Sequence, residues 1–164
     1  MSERLDVLPM PVRLSYTISA GHALSRFLRH LVEGRIVAER CSACSKVYLP
    51  PRGACPTCGI ATSGEVEVKD HGTVTTFAVV NIPAEGHAQE LPLPYVCAYV
   101  LLDGADIPLL HLVQGISAAE VRMGLRVQAV WAPEVERTPS LTSIRYFRPS
   151  GEPEAPFAAY AGHL

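Results

Sequence analysis

The segments Cys41-Ser-Ala-Cys44 and Cys55-Pro-Thr-Cys58 decide the fold of this 164-residue chain. They are two C-x-x-C units with ten residues between them. Each C-x-x-C turn directs two thiolates at one point, and zinc prefers four such soft ligands in a tetrahedron. The connecting loop only has to reverse the chain, which suits Pro50-Pro51-Arg52-Gly53. The spacing therefore predicts one metal site, with the ligands Cys41, Cys44, Cys55 and Cys58.

This cluster favours zinc, and two alternatives stay open. They are iron in a rubredoxin-like site, which would make the chain a redox protein, and a set of disulfides or free thiols. Close cysteine pairs in a reducing compartment indicate a metal more than they indicate disulfides. Because protein thiolates would fill all four positions, no position is left for water or substrate, and we expect a structural zinc.

The composition limits the compartment and the partners. Hydrophobic residues make up 48% of the chain and charged residues 18%, which is enough to bury a core. A net charge of −2 gives no general attraction to nucleic acid or to an anionic membrane. The first residues are polar and interrupted by Pro9 and Pro11, unlike a signal peptide. No apolar run reaches the roughly 18–20 residues that cross a bilayer. We therefore expect a cytoplasmic protein.

The residues before the cysteines form a short tail, 1–18, and then an amphipathic segment. Its apolar side chains recur at helical spacing and predict a helix over 19–34, with Ser19 as the N-cap and Gly34 as the stop. The apolar stripe consists of Leu24, Phe27, Leu28, Leu31 and Val32. The metal ribbon then occupies 35–64, and we expect it to need the metal in order to fold.

The region 65–149 has the alternating pattern of short β-strands, and Asp103-Gly104-Ala105-Asp106 is a hairpin signal. The candidate strands are 74–82, 95–102, 107–114, 125–131 and 141–147. Five such strands close a small barrel, which removes exposed sheet edges. The last segment, 150–164, is rich in proline, glycine and alanine and predicts a flexible tail. The fold class is thus mainly β, with an N-terminal α-helix, a rubredoxin-like zinc ribbon and a five-stranded barrel.

A series of short motifs runs along the helix, the ribbon and the barrel: Phe27-Leu28, Glu33-Gly34-Arg35, Cys41-Ser-Ala-Cys44, Tyr48-Leu-Pro-Pro-Arg52, Cys55-Pro-Thr-Cys58-Gly59, His71-Gly72-Thr73-Val74, Pro94-Tyr95, Leu101-Leu102-Asp103-Gly104, Gly124-Leu-Arg-Val127 and Tyr146-Phe147-Arg148-Pro149. In this order, these motifs resemble the zinc-ribbon plus OB-fold family once catalogued as domain of unknown function thirty-five. One departure is Asp70-His71-Gly72, where many members have a second glycine.

The resemblance implies an OB-fold barrel and an auxiliary subunit of an acyl-CoA enzyme of the thiolase superfamily. The hairpin 103–106 and Leu110-His111-Leu112 resemble the branch that partners sterol-carrier-type thiolase homologues. Some of those pairs are retro-aldolases that act on steroid side-chain CoA thioesters. For this chain, the resemblance implies a non-catalytic role in a hetero-oligomer such as α2β2. There it would stabilise the thiolase-like partner and help to bind acyl-CoA at or near the interface.

Two groups of residues are candidates for these contacts. Lys46, Tyr48 and Arg52 lie near the loop between the cysteine pairs, where cations suit a CoA phosphate; a solvated loop or a salt bridge to the partner is the alternative. The helix stripe can either cover the ribbon and barrel or face a partner subunit. Its candidate interface residues are Leu24, Phe27, Leu28 and Leu31.

No residue of this sequence is predicted to be catalytic. Cys97 lies in an apolar strand, where a free cysteine is commonly a core residue. His111 has aliphatic neighbours and no nearby carboxylate in the sequence, so we expect a satisfied core or interface histidine and not a general base. The alternative function is a single-stranded nucleic-acid-binding OB-fold protein. An aromatic content of 7% and a slightly acidic charge argue against that alternative.

Overall fold

The computed structural model describes Met10, residues 14–82 and residues 91–164 of the chain. Most of the predicted tail 1–18 lies outside the described residues. The described part contains one α-helix and eight strands: α1 (Gly21–Val32), β1 (Ile36–Arg40), β2 (Val47–Tyr48), β3 (Gly64–Val68), β4 (His71–Val80), β5 (Tyr95–Leu102), β6 (Leu109–Val113), β7 (Arg126–Trp131) and β8 (Ile144–Pro149). No helix in this part is long and apolar enough to cross a membrane.

The helix α1 ends as predicted but begins differently. Gly34 has φ +75°, its N–H bonds to the carbonyl of Leu31 at 3.2 Å, and the N–H of Arg35 reaches the carbonyl of His30 at 3.0 Å. This pair of hydrogen bonds needs a residue with a left-handed backbone, which is why glycine stops the helix here. At the other end, Ala20 and not Ser19 occupies the N-cap position, and no side chain caps the helix. Ser19 accepts only a 3.4 Å bond from the N–H of Gly21.

The ribbon is a three-stranded antiparallel sheet in the order β2-β1-β3. Four of the five residues of β1 are buried, because α1 packs against this strand. Strand β3 pairs with β1 over its whole length, so residues 65–68, which follow the predicted end of the ribbon at residue 64, bond to the ribbon sheet. The ribbon therefore extends a few residues further than its cysteine pattern indicates.

The predicted five-stranded barrel is confirmed: β4, β5, β6, β8 and β7 form a closed barrel. All neighbours are antiparallel except β6 and β8, which run parallel and share a single residue pair, Val113 with Phe147. The interior is apolar, and its fully buried side chains include Val74, Val100, Val127, Ile144 and Phe147. The same continuous core also takes in residues of α1 and β1.

The hairpin 103–106 joins the barrel to the ribbon. The N–H of Asp106 donates to the carbonyl of Val47 at 2.9 Å, and its carboxylate Oδ2 accepts the N–H of Val47 at 2.7 Å. On the barrel side, the carboxylate of Asp103 accepts hydrogen bonds from both Nη atoms of Arg126, at 2.7 and 2.6 Å. These bonds fix the position of the ribbon on the barrel through a turn of four residues.

The segment 150–164 differs from the prediction of a flexible tail. The N–H of Ala155 donates to the carbonyl of Gly124 at 2.9 Å, and Tyr160 is buried. Near its end, Nδ1 of His163 lies 2.8 Å from the carbonyl oxygen of Asp106. The segment also contains two short 3-10 helices, Phe157–Ala159 and Ala161–His163. It is held by contacts with distant residues, which a local composition bias does not reveal.

Candidate metal centre

The four predicted ligands converge at one point. Their Sγ atoms all lie within 4.8 Å of one another. The Sγ atoms of Cys44 and Cys55 are 3.7 Å apart, which matches the edge of about 3.8 Å in a tetrahedron with Zn–S bonds of about 2.3 Å. Cys41 and Cys55 are buried, whereas Cys44 and Cys58 are half-buried. The site therefore lies at the end of the ribbon, covered by protein on one side.

Two similar turns position the sulfur atoms. In each turn the residue four positions after the first cysteine donates its N–H back to that cysteine: Ser45 to Cys41 at 3.0 Å, and Gly59 to Cys55 at 2.9 Å. Both donors have a left-handed backbone, with φ +62° at Ser45 and φ +68° at Gly59. The first cysteines also donate their own N–H groups, to the carbonyls of Lys46 at 2.9 Å and of Ile60 at 2.8 Å.

Hydrogen bonds favour the thiolate of Cys55. The hydroxyl of Tyr48 donates to its Sγ at 3.1 Å, and the N–H of Cys58 approaches the same sulfur at 3.4 Å. The hydroxyl of Tyr48 is the main cause that lowers the pKa of Cys55 to about 6, because the O–H stabilises the charged form. The adjacent thiols of Cys44 and Cys55 raise the pKa of Cys58 to about 12, since crowded sulfurs resist a further negative charge.

This donor set fits a structural zinc ion. Four crowded sulfurs become stable as thiolates when a dication lies among them, and zinc is the common partner of four cysteines in a tetrahedron. Because all four ligands come from the protein, the ion stabilises the fold and offers no position to a substrate. Tyr48 supplies the outer hydrogen bond that such ligands usually receive.

The structure corrects the prediction for Tyr48. Its side chain is only 2% exposed and packs with Cys41 and Cys55, so it is not available to a CoA molecule. The other two candidates, Lys46 and Arg52, are exposed. Within 14–82 and 91–164, neither of them takes part in a salt bridge. The predicted group of three therefore separates into one internal residue and two surface cations.

The predicted partner interface on α1 is also corrected. Phe27 is 1% exposed and Leu31 is fully buried in the main core, so neither can reach another protein. Leu24 and Leu28 are partly buried and pack against the same core. The helix lies against β1 and against the 3-10 helix Leu141–Ser143 of the barrel. The alternative reading of the stripe, as a cover for the ribbon and barrel, is the one that the structure supports.

An ion pair between the partly exposed Arg26 and the buried carboxylate of Glu39, which no sequence motif indicates, fixes the helix to the ribbon. The carboxylate of Glu39 is 1% exposed, accepts Nη2 of Arg26 at 2.6 Å and accepts the hydroxyl of Thr62 at 2.7 Å. The three residues come from α1, β1 and the segment that follows Cys58. No motif marks them, because their separation in sequence is long and each is an ordinary polar residue by itself.

His111 is satisfied internally, as expected. Its Nδ1 accepts the N–H of Leu112 at 2.9 Å, its Nε2 lies 3.4 Å from the carbonyl oxygen of Leu141, and its ring packs edge-on against Phe147. Burial lowers the pKa of His111, so the neutral ring is favoured. The ring thus contacts β8 and the 3-10 helix Leu141–Ser143.

Cys97 differs from its prediction. Its neighbours Val96 and Ala98 point into the barrel, so Cys97 points outward and is half-buried. Burial raises the pKa of its thiol. In the part of the chain that the structure describes, no histidine or carboxylate bonds to this thiol, so it lacks the base that a nucleophilic cysteine needs.

Comparison with known proteins agrees with this geometry. Residues 29–62 match the family model described as the rubredoxin-like zinc ribbon domain of ChsH2, and residues 65–132 match its C-terminal OB-fold domain. Together the two models span more than half of the chain. The chain belongs to the ChsH2 family. Its ribbon and its barrel thus correspond to the two domains of that family, in the same order.

The chain is similar to several known proteins, of which three are informative. A probable enoyl-CoA hydratase alpha subunit from Thermomonospora curvata is 33% identical over 149 residues. That match covers 91% of this chain but only 44% of the relative, so the chain spans less than half of the relative's length. A solved structure of an Ltp2-ChsH2(DUF35) aldolase is 25% identical with a TM-score of 0.59, covering 84% of this chain and 99% of that one.

The third relative supports the fold alone. It is a protein of unknown function from the DUF35 family of Sulfolobus solfataricus, solved as a crystal structure. It is 22% identical with a TM-score of 0.58, over 79% of this chain and 84% of that chain. The arrangement of helix, ribbon and barrel is therefore shared by relatives whose sequences have diverged widely.

Proposed function

We propose that this chain is a non-catalytic auxiliary subunit of a thiolase-like acyl-CoA enzyme, in which it stabilises the partner and helps to bind the acyl-CoA. The observation that carries the proposal is the match to 99% of one chain of an aldolase whose name joins Ltp2 to ChsH2(DUF35). A subunit role is also consistent with the relative named as a hydratase alpha subunit. The reaction that we favour for the complex is thiolysis or retro-aldol cleavage of a CoA thioester. Its substrates would be CoA thioesters of steroid side chains, and the complex would act in the cytoplasm.

The residues of the chain support a role without catalysis. The cysteine cluster has no open position, His111 is neutral and internally bonded, and Cys97 has no base among the described residues. Asp70 pairs with the ring of its neighbour His71 at 2.7 Å. No hydroxyl or thiol of the described residues completes a nucleophilic arrangement with that pair. Catalytic groups would therefore come from the partner.

The test is co-expression with thiolase-like proteins, beginning with the one encoded nearest to this chain. We expect a stable hetero-oligomer whose lyase or thiolase activity requires both chains, measured by light scattering and by release of CoA or of the shortened thioester. A partner that is fully soluble and active alone would remove the basis of the proposal. Turnover of a CoA ester by the isolated chain would contradict the non-catalytic role.

Lys46 and Arg52 remain our candidates for the CoA phosphates. Both are exposed cations near the metal centre, and arginine can hold a phosphate with two parallel hydrogen bonds. We expect Arg52→Glu to weaken acyl-CoA binding by the complex about tenfold, a loss typical of one charge-assisted contact. Arg148→Glu, which reverses another exposed arginine on β8, serves as the control. Equal affinity of the two variants would show that Arg52 makes no such contact.

The nucleic-acid alternative gains no support from the barrel. OB-folds bind oligonucleotides on the face of their second and third strands, which are β5 and β6 here. Neither strand contains a lysine or an arginine. A single-stranded DNA ligand needs cations beside its stacking platforms, so this face lacks the required electrostatics.

A further inference from the structure

The outer surface of β4, β5 and β6 is uncharged. These three strands contain no aspartate, glutamate, lysine or arginine, whereas β7 and β8 carry Arg126, Arg145 and Arg148. Cross-strand register shows which side chains share the outer surface, since paired residues point to the same side. We call this surface the neutral face; it consists of Thr76, Ala78, Val80, Tyr95, Cys97, Tyr99, Leu110 and Leu112.

Apolar groups on the neutral face contact water. Leu110 is 51% exposed and lies directly opposite Tyr99, which is 43% exposed. The next pair on the same side is Cys97 with Leu112, and both are half-buried. Solitary exposed leucines are common, but adjacent apolar pairs across three strands without any charge are typical of an interaction site.

We propose that the neutral face is the surface on which the partner subunit docks, through an equally uncharged and apolar surface of its own. This assignment rests on the proposed function and names the part of the chain that carries it. A charged partner surface is disfavoured, because the neutral face offers no counter-ion and burying an unpaired charge costs several kcal/mol. The two predicted interface residues that face the core, Phe27 and Leu31, are thus replaced by residues of the barrel.

The size of the neutral face favours a larger partner over a second copy of the chain. Three strands about 4.8 Å apart and about five residues long project roughly 240 Å². A stable interface buries about 800 Å² on each protein, more than this face supplies even if side-chain relief doubles its area. A larger subunit can cover the face as the apolar centre and extend over a polar rim, which is the usual anatomy of an interface.

The test places a charge on the neutral face of the full zinc-bound chain. Leu110→Glu is the probe, and Val135→Glu is the matched control, because Val135 is also an aliphatic residue, is 94% exposed and lies outside the face. Thermal unfolding and zinc content of the isolated variants establish that both fold. Affinity for the co-expressed thiolase-like partner is then measured. In addition, the rate at which N-ethylmaleimide alkylates Cys97 shows directly whether the partner covers the neutral face.

We expect Leu110→Glu to weaken the complex at least about 30-fold and Val135→Glu to change it less than about threefold. We also expect complex formation to slow the alkylation of Cys97 about tenfold or more. A complex that tolerates Leu110→Glu and leaves Cys97 reactive would overturn the surface assignment while the proposed function stands. No complex with the wild-type chain would overturn both. An isolated wild-type chain that is a dimer, and becomes monomeric with Leu110→Glu, would assign the face to a second copy and overturn the proposal.

Discussion

The cysteine end of the ribbon, residues 41–60, and the barrel are stabilised by different means. At the cysteine end, the strand β2 is two residues long and a small buried cluster of Cys41, Tyr48 and Cys55 lies at the sulfur atoms, while Val47 and Leu49 belong to the main core. The barrel instead closes five strands around a continuous apolar core. The cysteine end therefore depends on one concentrated interaction, the metal, and the barrel on many small ones.

The two regions meet at two places, which set how far local unfolding should spread. Ile107 packs against the cysteine cluster, and its neighbour Asp106 bonds to Val47 of β2. The second contact is made by Val47 and Leu49, which are buried in the core that the barrel shares with α1 and β1. We therefore expect the two cysteine turns, 41–46 and 55–60, to unfold without the barrel, while Val47 and Leu49 stay packed in the main core.

Removal of the metal should have the largest effect, and it should be local. Structural zinc supplies roughly 10–16 kcal/mol to small zinc domains, far more than the cysteine cluster gains from burial. We expect Cys55→Ser, or chelation of the wild-type chain, to abolish stoichiometric zinc and to unfold the two cysteine turns, 41–46 and 55–60. Amide exchange followed by NMR should show protection lost there and kept in β5. Cys97→Ser makes the same chemical change outside the cluster and should keep one zinc per chain. Simultaneous loss of protection in the barrel would show that the two regions are one unit.

A cavity in the barrel should destabilise the barrel and leave the metal centre intact. Phe147 is fully buried on β8, and Phe147→Ala should lower the free energy of unfolding by about 3–5 kcal/mol. Phe157, in contrast, is 60% exposed, and Phe157→Ala should change it by less than about 1 kcal/mol. Denaturant unfolding at saturating zinc measures both values, and metal analysis should find one zinc per chain throughout. Loss of zinc from a folded Phe147→Ala chain would contradict the independence of the cysteine end.

The fold and the metal ligands were predictable because their signals are local. A C-x-x-C turn needs only four consecutive residues, and a strand shows its period within a few positions. The orientation of Cys97 was not predictable, since both sides of β5 are apolar: Val96, Ala98 and Val100 face inward while Cys97, Tyr99 and Leu101 do not. An alternation of apolar and polar residues is absent there, so the sequence does not distinguish the two faces of the strand.

The remaining surprises depend on distant residues. The final segment is held by pairs such as Arg126 with Glu152 and His163 with Asp106, and the latter pair is separated by 57 positions. Tyr48 belongs to a run of three consecutive buried residues on and after β2. The orientation of its side chain therefore follows from packing and not from the alternating period of a strand. The stripe of α1 is visible in the sequence, but which surface it covers is decided by the ribbon and barrel together.

The bond from Tyr48 to Cys55 predicts a smaller effect on the metal. Tyr48→Phe removes only the hydroxyl that donates to the Cys55 thiolate at 3.1 Å. We expect zinc affinity to fall about tenfold, at the lower end of outer-sphere effects, with the fold kept. Competition with a chromophoric chelator gives the affinity. Tyr99→Phe, which removes a hydroxyl on the neutral face, is the control and should leave affinity unchanged. Equal affinities for the two variants would rule out a role of this hydroxyl at the centre.

Acidification should weaken the barrel through His111. Because burial lowers the pKa of His111 in the folded state below the ordinary 6.5, the unfolded chain binds the proton more readily. The contribution of the neutral His111 ring to the free energy of unfolding is complete above pH 6.5. It is lost as the pH falls below that value, by up to about 1.4 kcal/mol per pH unit. The difference in stability between the wild type and His111→Gln, measured at pH 7.5 and 5.5, isolates this residue from the other histidines. A difference independent of pH would mean that His111 is not held neutral.

The smallest predicted effect separates the two turns of the cysteine end. Ser45 and Gly59 occupy equivalent left-handed positions, but only Gly59 is free of a side-chain penalty there. Ser45→Gly should therefore raise the stability of the zinc-bound ribbon by a few tenths of a kcal/mol to about 1 kcal/mol, and Gly59→Ala should lower it by about 1 kcal/mol. A Cβ at Gly59 meets no atom within 4 Å, so the loss would come from the backbone alone. Residue-resolved amide exchange at saturating zinc measures both changes within 41–60. Stability changes of the same sign for both substitutions would show that the two turns are not equivalent, because glycine would then be the better residue in only one of them.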